Sequence, residues 1–597
     1  MGLLDSISIS QAALGALVLY LAWQVVRPFV VKTALDNIDG PPSESFVFGN
    51  IPNLMSRHCF KLREELARQY GRVILLHGLL GAKWVVTYDP KALHAVFIKE
   101  QDIYEEPVAS LRLLLGPGLL GTLGEQHRKQ RKMLNPVFST KHLRDMTPLF
   151  YDIVHKTRDA IMTRVRAGAQ EKDSGVELDM LSWMGRTTLE VLGQAGLGYS
   201  FDPLVKDVPD DFATAIKDFF PQMARSIVLR LLLPVAVKIG PPQFRRRVVD
   251  MIPADQVQRM KDISDILHAR SVLIFNEKKT ALAQGDEAIK HQIGEGRDIM
   301  SILLRANMLA SDEDKLGDDE LIGQISTMIL AGMDTTANTL ARILHLLAQH
   351  PEVQERARAE IIQAVEAEGN GDMLDFDRLM ELPYLDAICR ETLRTYVSTS
   401  LCTLASRRSS GITVLSHALL RNTSTVKDTV LPFSKPIRGK DGTLLSAIPI
   451  PKGTRIVADV YACNRNPELW GPDADKWRPE RWLEGVPKAV EDARVPGVYS
   501  HLMTFIGGSR ACIGFKFAQV EMSEPLSAFR LPSIVWCLTA RLRLVRTESV
   551  LCILLQWFKF ELTDKPITWN FAAVQYPTVG KDSTNPELPL KVSLLRP

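Results

Sequence analysis

The feature that most constrains this chain is a ten-residue segment near its C-terminal end, Phe505–Gly514, which places one cysteine among three glycines and an arginine. The glycines allow the backbone to turn tightly around Cys512 and to approach another group closely. Such a turn can point backbone N–H groups at the sulphur, so Cys512 is a candidate functional residue. The alternative is a glycine turn before a helix, with a buried structural cysteine.

Cysteine usage and charge narrow the class of protein further. The seven cysteines are scattered and form no C-x-x-C pair, which indicates neither a disulfide framework nor a zinc site. The formal net charge of +3 is too small to indicate a nucleic-acid partner. A reducing, cytosol-facing compartment fits both observations.

The N-terminal region carries an almost charge-free apolar run, Ile7–Val26, whose length is enough to span a bilayer. Asp5 precedes the run, and Arg27 and Lys32 follow it, so the positive-inside rule places the rest of the chain in the cytosol. We therefore expect residues 1–35 to form a single membrane anchor. The alternatives are a buried core helix and a cleaved signal peptide, although basic residues normally precede the apolar run of a signal peptide.

The remaining chain is expected to fold as one body after a short hinge. Residues 36–45 contain Pro41 and Pro42, which make a stiff, extended exit from the anchor. Residues 46–597 then form a catalytic domain that is mainly α-helical with a minor β part. The β part includes a hairpin between residues 73 and 87 and strands at residues 448–450 and 454–460.

The cysteine segment resembles the signature of the cytochrome P450 family, F-x-x-G-x-R-x-C-x-G, at every fixed position: Phe505, Gly508, Arg510, Cys512 and Gly514. The resemblance extends over nearly the whole chain and is greatest to fungal microsomal members. It implies the cytochrome P450 fold and haem b, with iron held by the Cys512 thiolate. It further implies that Arg510 pairs with a haem propionate, that Phe505 packs near the sulphur, and that both glycines shape the turn.

Two further motifs resemble the family's structural brace. Glu391 and Arg394 match E-x-x-R, and Arg481 lies in P-E-R-W, which is similar to the family's P-E-R-F. The resemblance implies that these three residues form a buried triad. Taken alone, Glu391 and Arg394 are equally compatible with an ordinary ion pair along one helix face.

The segment Ala331–Thr336 resembles the family's A-G-x-[DE]-T-T and lies in a long apolar helix predicted over residues 319–347. The resemblance implies that Ala331 and Gly332 leave a groove for O₂ over the haem. Asp334 and Thr335 are the implied catalytic residues, because an acid beside an alcohol can relay protons from solvent. The alternative is an Asp-Thr-Thr sequence that ends one helix and caps the next.

Other haem contacts are implied by resemblance at His127, Arg131 and Arg421. His127 stands where many members of the family have the tryptophan of W-x-x-x-R, and Arg131 follows one helical turn later. Both are expected to bind a haem propionate. The alternative is a basic, solvated face, and the other basic residues of this helix are a candidate docking surface for an acidic redox partner.

Two stretches depart from the family pattern, at about residues 397–420 and 523–548. Each is about 25 residues long, lacks periodicity and interrupts an element expected to be packed, whereas natural insertions favour exposed loop tips. We interpret them as translated introns. The alternative is a pair of genuine surface loops.

The predicted function is a monooxygenase that oxidises a lipophilic small molecule, such as a terpenoid in fungal secondary metabolism. Electrons are expected from NADPH through a cytochrome P450 reductase, because the sequence indicates no dinucleotide-binding unit of its own. The expected location is the endoplasmic reticulum membrane, with the catalytic domain facing the cytosol. The alternatives are an O₂-independent isomerase or dehydratase of the same family, and an inactive haem-binding protein disabled by the two stretches.

Overall fold

A computed structural model describes most of the chain. It covers residues 26–595, together with residues 15, 19, 22 and 23, apart from 105, 107, 139, 170–174, 203, 205–210, 226–239, 286–292, 294–295, 370, 397–400, 405–427 and 515–544. The chain divides into two compact units. The first, here the β-rich unit, comprises Met1–Ser110, Met223–Gln258 and Leu401–Cys463, and the second, the helical unit, comprises Leu111–Gln222, Arg259–Ser400 and Asn464–Pro597.

Helices account for most of the described residues, so the fold is mainly α with a minor β part, as the sequence predicts. In chain order the helices are α1 (Ile51–Leu54), α2 (Phe60–Tyr70), α3 (Pro90–His94), α4 (Ala109–Leu115), α5 (Gly124–Leu134), α6 (Thr140–Ala169), α7 (Met180–Val191), α8 (Asp211–Arg225), α9 (Pro242–Asp250), α10 (Asp255–Gln284), α11 (Ile299–Leu309), α12 (Asp318–Gln349), α13 (Pro351–Glu368), α14 (Phe376–Leu379), α15 (Pro383–Thr395), α16 (Val460–Asn464), α17 (Pro467–Trp470), α18 (Lys488–Ala493) and α19 (Val545–Trp557).

The strands form separate sheets in the two units. They are β1 (Val73–His77), β2 (Lys83–Thr87), β3 (Val176–Asp179), β4 (Leu401–Leu404), β5 (Thr429–Arg438), β6 (Leu444–Ile450), β7 (Arg455–Asp459), β8 (Phe558–Leu562), β9 (Ile567–Asn570), β10 (Tyr576–Val579) and β11 (Pro589–Leu594). The β-rich unit contains a four-stranded sheet in the order β1-β2-β7-β4 and the pair β5-β6, whereas the helical unit contains β3-β11-β8 and the pair β9-β10.

The β-rich unit contains the predicted hairpin. Strands β1 and β2 pair antiparallel with Val73 opposite Thr87, and β2 pairs in parallel with β7. The predicted strands at residues 448–450 and 454–460 correspond to the end of β6 and to β7. Strand β4 lies inside the first stretch predicted to be an insertion and pairs antiparallel with β7. Its four residues are too few to show a periodicity, so the sequence did not predict this strand.

The centre of the helical unit is α12, a 32-residue helix whose middle and C-terminal half are mostly buried. Asp318, Asp319 and Glu320 occupy its first turn, where negative charge interacts favourably with the helix dipole. Pro351 follows shortly after its C-terminal end and begins the next helix. The long helix predicted over residues 319–347 is therefore confirmed, with slightly wider bounds.

Helix α7 packs against α12 in the same unit, and nearly all of its side chains are buried. Asp179 caps its N-terminus, because the carboxylate accepts hydrogen bonds from the backbone N–H groups of Leu181 at 3.1 Å and Ser182 at 3.3 Å. Helix α19 contributes six consecutive fully or almost fully buried apolar residues, 550–555, to the same core. These three helices supply a large part of the core of the helical unit.

Among the residues that the structure describes, no helix combines the length and the apolar character needed to cross a bilayer. Most of the apolar run Ile7–Val26 lies outside those residues. The membrane anchor therefore stays a prediction, as do the hinge and the boundaries of the catalytic domain.

Candidate active site

Two short 3₁₀ turns, Met503–Phe505 and Gly508–Arg510, shape the cysteine segment, and Cys512 follows the second turn after Ala511. The backbone N–H of Cys512 donates a hydrogen bond to the carbonyl of Phe505 at 3.1 Å, which closes the loop. Gly508 has a φ of +73°, a conformation that side chains disfavour. The Cys512 side chain is exposed although the preceding Ala511 is buried, so the loop presents the thiol outward from the protein core.

Gly514 lies next to the thiol on the other side of the loop. A Cβ atom built at Gly514 would lie 3.7 Å from the Cys512 sulphur, which is ordinary van der Waals contact. The predicted helix over residues 515–522, and Arg421, lie outside the described residues. Their predicted roles at the haem therefore stay predictions.

A basic cluster, defined as His127, Arg131 and Arg510, lies beside the cysteine loop. One Nη of Arg510 donates to the carbonyl of Thr122 at 3.1 Å, which holds the loop next to the start of α5. His127 is 6% exposed, and its pKa is lowered to about 3 by burial first and then by the positive charges of Arg510 and Arg131. Three basic side chains gathered in one place make an environment suited to an anion.

The middle of α12 has an open face in an otherwise buried segment. Ala331 is exposed, and Gly332 and Thr335 are partly exposed, whereas the residues before and after this short segment are mostly buried. The Thr335 hydroxyl donates to the carbonyl of Ala331 at 2.7 Å. The small residues Ala331 and Gly332 thus leave the helix backbone accessible at this position.

Asp334 lies next to this open face but points into the protein. It is 5% exposed, and Asn338, one turn later, donates to its carboxylate at 3.1 Å. Burial raises the pKa of Asp334 to about 7, although the charge of Lys217 on α8 and the Asn338 hydrogen bond partly oppose the shift. A carboxyl with this pKa can both accept and release a proton near neutral pH.

The predicted triad of Glu391, Arg394 and Arg481 is assembled in the core of the helical unit. Arg394 makes a two-pronged ion pair with Glu391, with nitrogen–oxygen distances of 2.7 and 2.8 Å, and both side chains are fully buried. The Nε of Arg481 lies 3.5 Å from the same carboxylate. Trp482 adds an indole N–H bond to it at 2.9 Å.

Sequence reasoning did not assign a role to Trp482 or Asn338. The signal for Trp482 was its replacement of phenylalanine in P-E-R-F, because only the indole adds a hydrogen-bond donor. The signal for Asn338 was its position four residues after Asp334, which lies on the same face of a helix.

One glycine pattern needs a correction. Gly116, Gly118 and Gly121 have the spacing G-x-G-x-x-G, which the sequence interpretation overlooked. They follow a helix, α4, and not a strand, so the pattern is not a dinucleotide-binding loop. A Cβ atom at Gly118 would meet the carbonyl oxygen of Gly323 on α12 at 2.2 Å, so close packing on α12 explains that glycine.

The second stretch predicted to be an insertion also needs a corrected boundary. Helix α19 begins at Val545, whereas the sequence predicted that the helix would resume at Val550. Residues 545–548 therefore form its first turn. Glu548 in that turn is 1% exposed.

These residues fit a haem. An exposed thiol in a closed loop supplies a soft ligand for iron, and the adjacent basic cluster suits the carboxylates of the porphyrin. The open face of α12 offers small residues beside a titratable acid. No group of three or more His, Cys, Asp and Glu residues among the described side chains forms an alternative metal site.

Comparisons with known proteins agree with this geometry. The family model described as Cytochrome P450 matches residues 40–421 and 430–529. The chain is 48% identical over 582 residues to Cytochrome P450 monooxygenase 91 of Postia placenta, with 97% of each chain covered. It is 45% identical over 581 residues to Ganoderic acid synthetase CYP5150L8 of Ganoderma lucidum, covering 96% of this chain and 97% of that one.

The fold and these matches define a haem-dependent oxidoreductase. The chain belongs to the cytochrome P450 family and, within it, is similar to fungal cytochrome P450 monooxygenases. The family uses haem b as its cofactor, together with O₂, a redox partner and, in general, lipophilic substrates.

Proposed function

We propose that Cys512 is the thiolate ligand of haem iron and that the protein inserts one oxygen atom into a lipophilic substrate. The observation that carries this proposal is the closed loop that presents the Cys512 thiol beside the basic cluster. When bound, the haem supplies the binding and activation of O₂, which thiolate ligation favours. The rest of the mechanism depends on side chains of this chain.

The basic cluster and the loop hold and orient the cofactor. Arg510 and Arg131 carry permanent charges that would pair with the haem carboxylates, and His127 adds an N–H donor between them. The Arg510 bond to the Thr122 carbonyl fixes the guanidinium next to the loop. Phe505 accepts the hydrogen bond of Cys512 through its backbone and packs at the edge of the main core.

Asp334 and Thr335 would transfer the protons that the reaction consumes. The carboxyl of Asp334, with a pKa of about 7, exchanges protons at physiological pH. Thr335 carries a hydroxyl at the open face of α12, where it can hold water or donate a proton. Breaking its bond to the Ala331 carbonyl frees the hydroxyl hydrogen for this purpose. Asn338 keeps Asp334 in place through a direct hydrogen bond.

We further propose that the substrate is a terpenoid and that NADPH–cytochrome P450 reductase supplies the electrons. The named activity of the Ganoderma lucidum relative, a ganoderic acid synthetase, supports this substrate class. The basic residues Arg128, Lys129 and Lys132 on α5 are a candidate docking surface for the acidic reductase. Arg128 and Lys132 are already ion-paired with Glu125 and Asp314, so docking would have to replace these exposed pairs.

For location, we propose a single-pass anchor in the endoplasmic reticulum membrane with the catalytic domain in the cytosol. The apolar run Ile7–Val26 and the basic residues after it support this proposal. Removal of residues 1–32 should release the protein from membranes and keep its haem. A truncated protein that stays on membranes would point to a second apolar surface at about residues 219–237. Only residues 219–225 of this segment are described, and Phe219 and Met223 among them are buried.

The function is tested with purified protein, the reductase and NADPH. The reduced, CO-treated protein should show the Soret band for which the family is named. Incubation with a panel of terpenoids of different sizes should give products heavier by one oxygen atom, labelled by ¹⁸O₂. Product formation without O₂ or NADPH would contradict the monooxygenase assignment and favour an isomerase or dehydratase.

A further inference from the structure

His127 is a titratable group held between two permanent cations. It lies on α5 one helical turn before Arg131, and its other charged neighbour is Arg510 of the cysteine loop. Burial and these two charges lower the pKa of His127 to about 3. In the polypeptide alone the imidazole of His127 is therefore neutral near physiological pH.

Among the described residues, the charges that shift the pKa of His127 include no acid from the other elements packed against α5. Helix α11 carries Arg305, which is exposed, and the 3₁₀ turn Leu119–Gly121 carries no ionisable side chain. Glu320 on α12 accepts hydrogen bonds from the side-chain amides of Gln126 at 3.0 Å and Gln130 at 2.7 Å. The charges that act on His127 are thus positive, and a ligand with carboxylates would reverse the sign of the local field.

We propose that haem binding is coupled to the uptake of one proton by His127, which becomes an imidazolium against the haem carboxylates. This inference rests on the proposed haem site and deepens it. A carboxylate brought next to a buried imidazole stabilises its charged form and offsets the repulsion of the two arginines. The tryptophan that many family members have at this position donates a hydrogen bond but does not titrate.

The consequence is a haem affinity that depends on pH. Below the pKa of His127 in the haem-bound protein, the protonated imidazole donates a charge-assisted hydrogen bond to a haem carboxylate. As pH rises through that pKa, the proton leaves and the bond weakens to a neutral one. Linkage then requires that the haem dissociation constant rises with pH by up to tenfold per pH unit, between the pKa of His127 in the free protein and its pKa in the haem-bound protein. We expect the rate of haem loss to rise over the same range. Arginine partners alone would give no such dependence, because they stay charged.

The test measures haem loss from the complete ferric protein. The haem-bound chain is mixed with an excess of apomyoglobin, and the transfer of haem is followed by absorbance from pH 6 to pH 9. The wild-type rate should rise at least threefold over this range. His127→Trp and His127→Gln should lose haem at rates that do not depend on pH, whereas Arg131→Lys should lose haem faster and keep the dependence of the wild type.

Two outcomes would overturn the proposal: a wild-type rate that is constant over this range, or the same pH dependence in the wild type and in both His127 variants. The glutamine variant serves if the tryptophan variant does not fold. Failure of the proposed function is recognised separately, because it would appear as absent haem or an absent reduced-CO band before any transfer is measured.

Discussion

The most demanding prediction concerns Glu548 and the stretch that precedes it. Removal of residues 524–548 joins Ser523 to Ser549, so that a serine takes the place of Glu548 in the first turn of α19. We expect the shortened protein to hold more haem per chain and to melt at a higher temperature than the full chain. The match to the family model ends at residue 529, inside this stretch.

The expected gain follows from the surroundings of Glu548. Its side chain is buried, and its Oε2 accepts no hydrogen bond among the described residues. Burial raises the pKa of Glu548 well above its usual value, and the charges of Asp386 and Glu360 raise it further, whereas Arg390 lowers it. Arg390 is already paired with Asp386 at 2.6 Å. Within the part of the chain that the structure describes, the Oε2 atom of Glu548 is therefore buried without a hydrogen-bond partner and lies near two other carboxyls.

The magnitude is estimated from the buried oxygen. A buried polar atom without a hydrogen-bond partner costs about 1–3 kcal/mol. The raised pKa of Glu548 adds a penalty that depends on pH. Since the pKa in the folded state is the higher one, this penalty grows as pH rises. Replacement of Glu548 should therefore stabilise the protein by about 1–3 kcal/mol, and by more at pH 8 than at pH 6.

The assay compares three proteins: the full chain, Glu548→Ser within the full chain, and the shortened chain. Haem content per chain and melting temperature are measured at pH 6 and pH 8. Glu548→Ser should show the pH-dependent part of the rise in melting temperature. The shortened chain should melt at a still higher temperature and hold more haem, because residues 515–522 then continue directly into α19. A shortened chain with equal or lower haem content, or one no better than Glu548→Ser, would refute the intron hypothesis and leave a genuine loop.

Three further predictions concern the proposed site. Cys512→Ser should lose the reduced-CO Soret band and all turnover, because iron loses its thiolate, and a retained band would contradict the ligand assignment. Thr335→Ala should bind haem normally but consume NADPH while releasing hydrogen peroxide, and unchanged coupling would remove Thr335 from the mechanism. Asp334→Asn should stabilise the protein relative to the wild type, and this gain should be about 2–3 kcal/mol larger at pH 8 than at pH 5. The reason is that the raised pKa of Asp334 makes its ionisation costly in the folded protein. Melting curves of both proteins at the two pH values measure the difference.

Motif reasoning predicted well where chemistry fixes both residue type and spacing. The turn at Cys512 and the pairing of Glu391 with Arg394 and Arg481 could be predicted, because each depends on a few residues close in sequence or joined by a family pattern. The length of α12 could be predicted because apolar periodicity and its acidic first turn mark a long helix.

Long-range packing explains what the sequence did not reveal. The pKa of Asp334 depends on how deeply α12 is buried and on Lys217 of another helix, and neither can be deduced from the six-residue motif. The burial of Glu548 depends on the surroundings of the first turn of α19. Strand β4 escaped prediction because its pairing with β7, and not its own pattern, defines it.

The buried brace around Arg394 has a consequence for sequence variation. Its guanidinium donates to the carbonyl oxygens of Asn464 at 3.0 Å, Ala474 at 2.6 Å and Lys476 at 3.0 Å, so it recognises the path of the main chain and not the identity of those side chains. A library that randomises the exposed Lys476 should therefore return many folded members. Lengthening the segment between Asn464 and Lys476 by one residue would move the carbonyl oxygens away from Arg394, and such members should be lost. The hydrogen bonds of Arg394 therefore constrain the length of this segment more strongly than its composition.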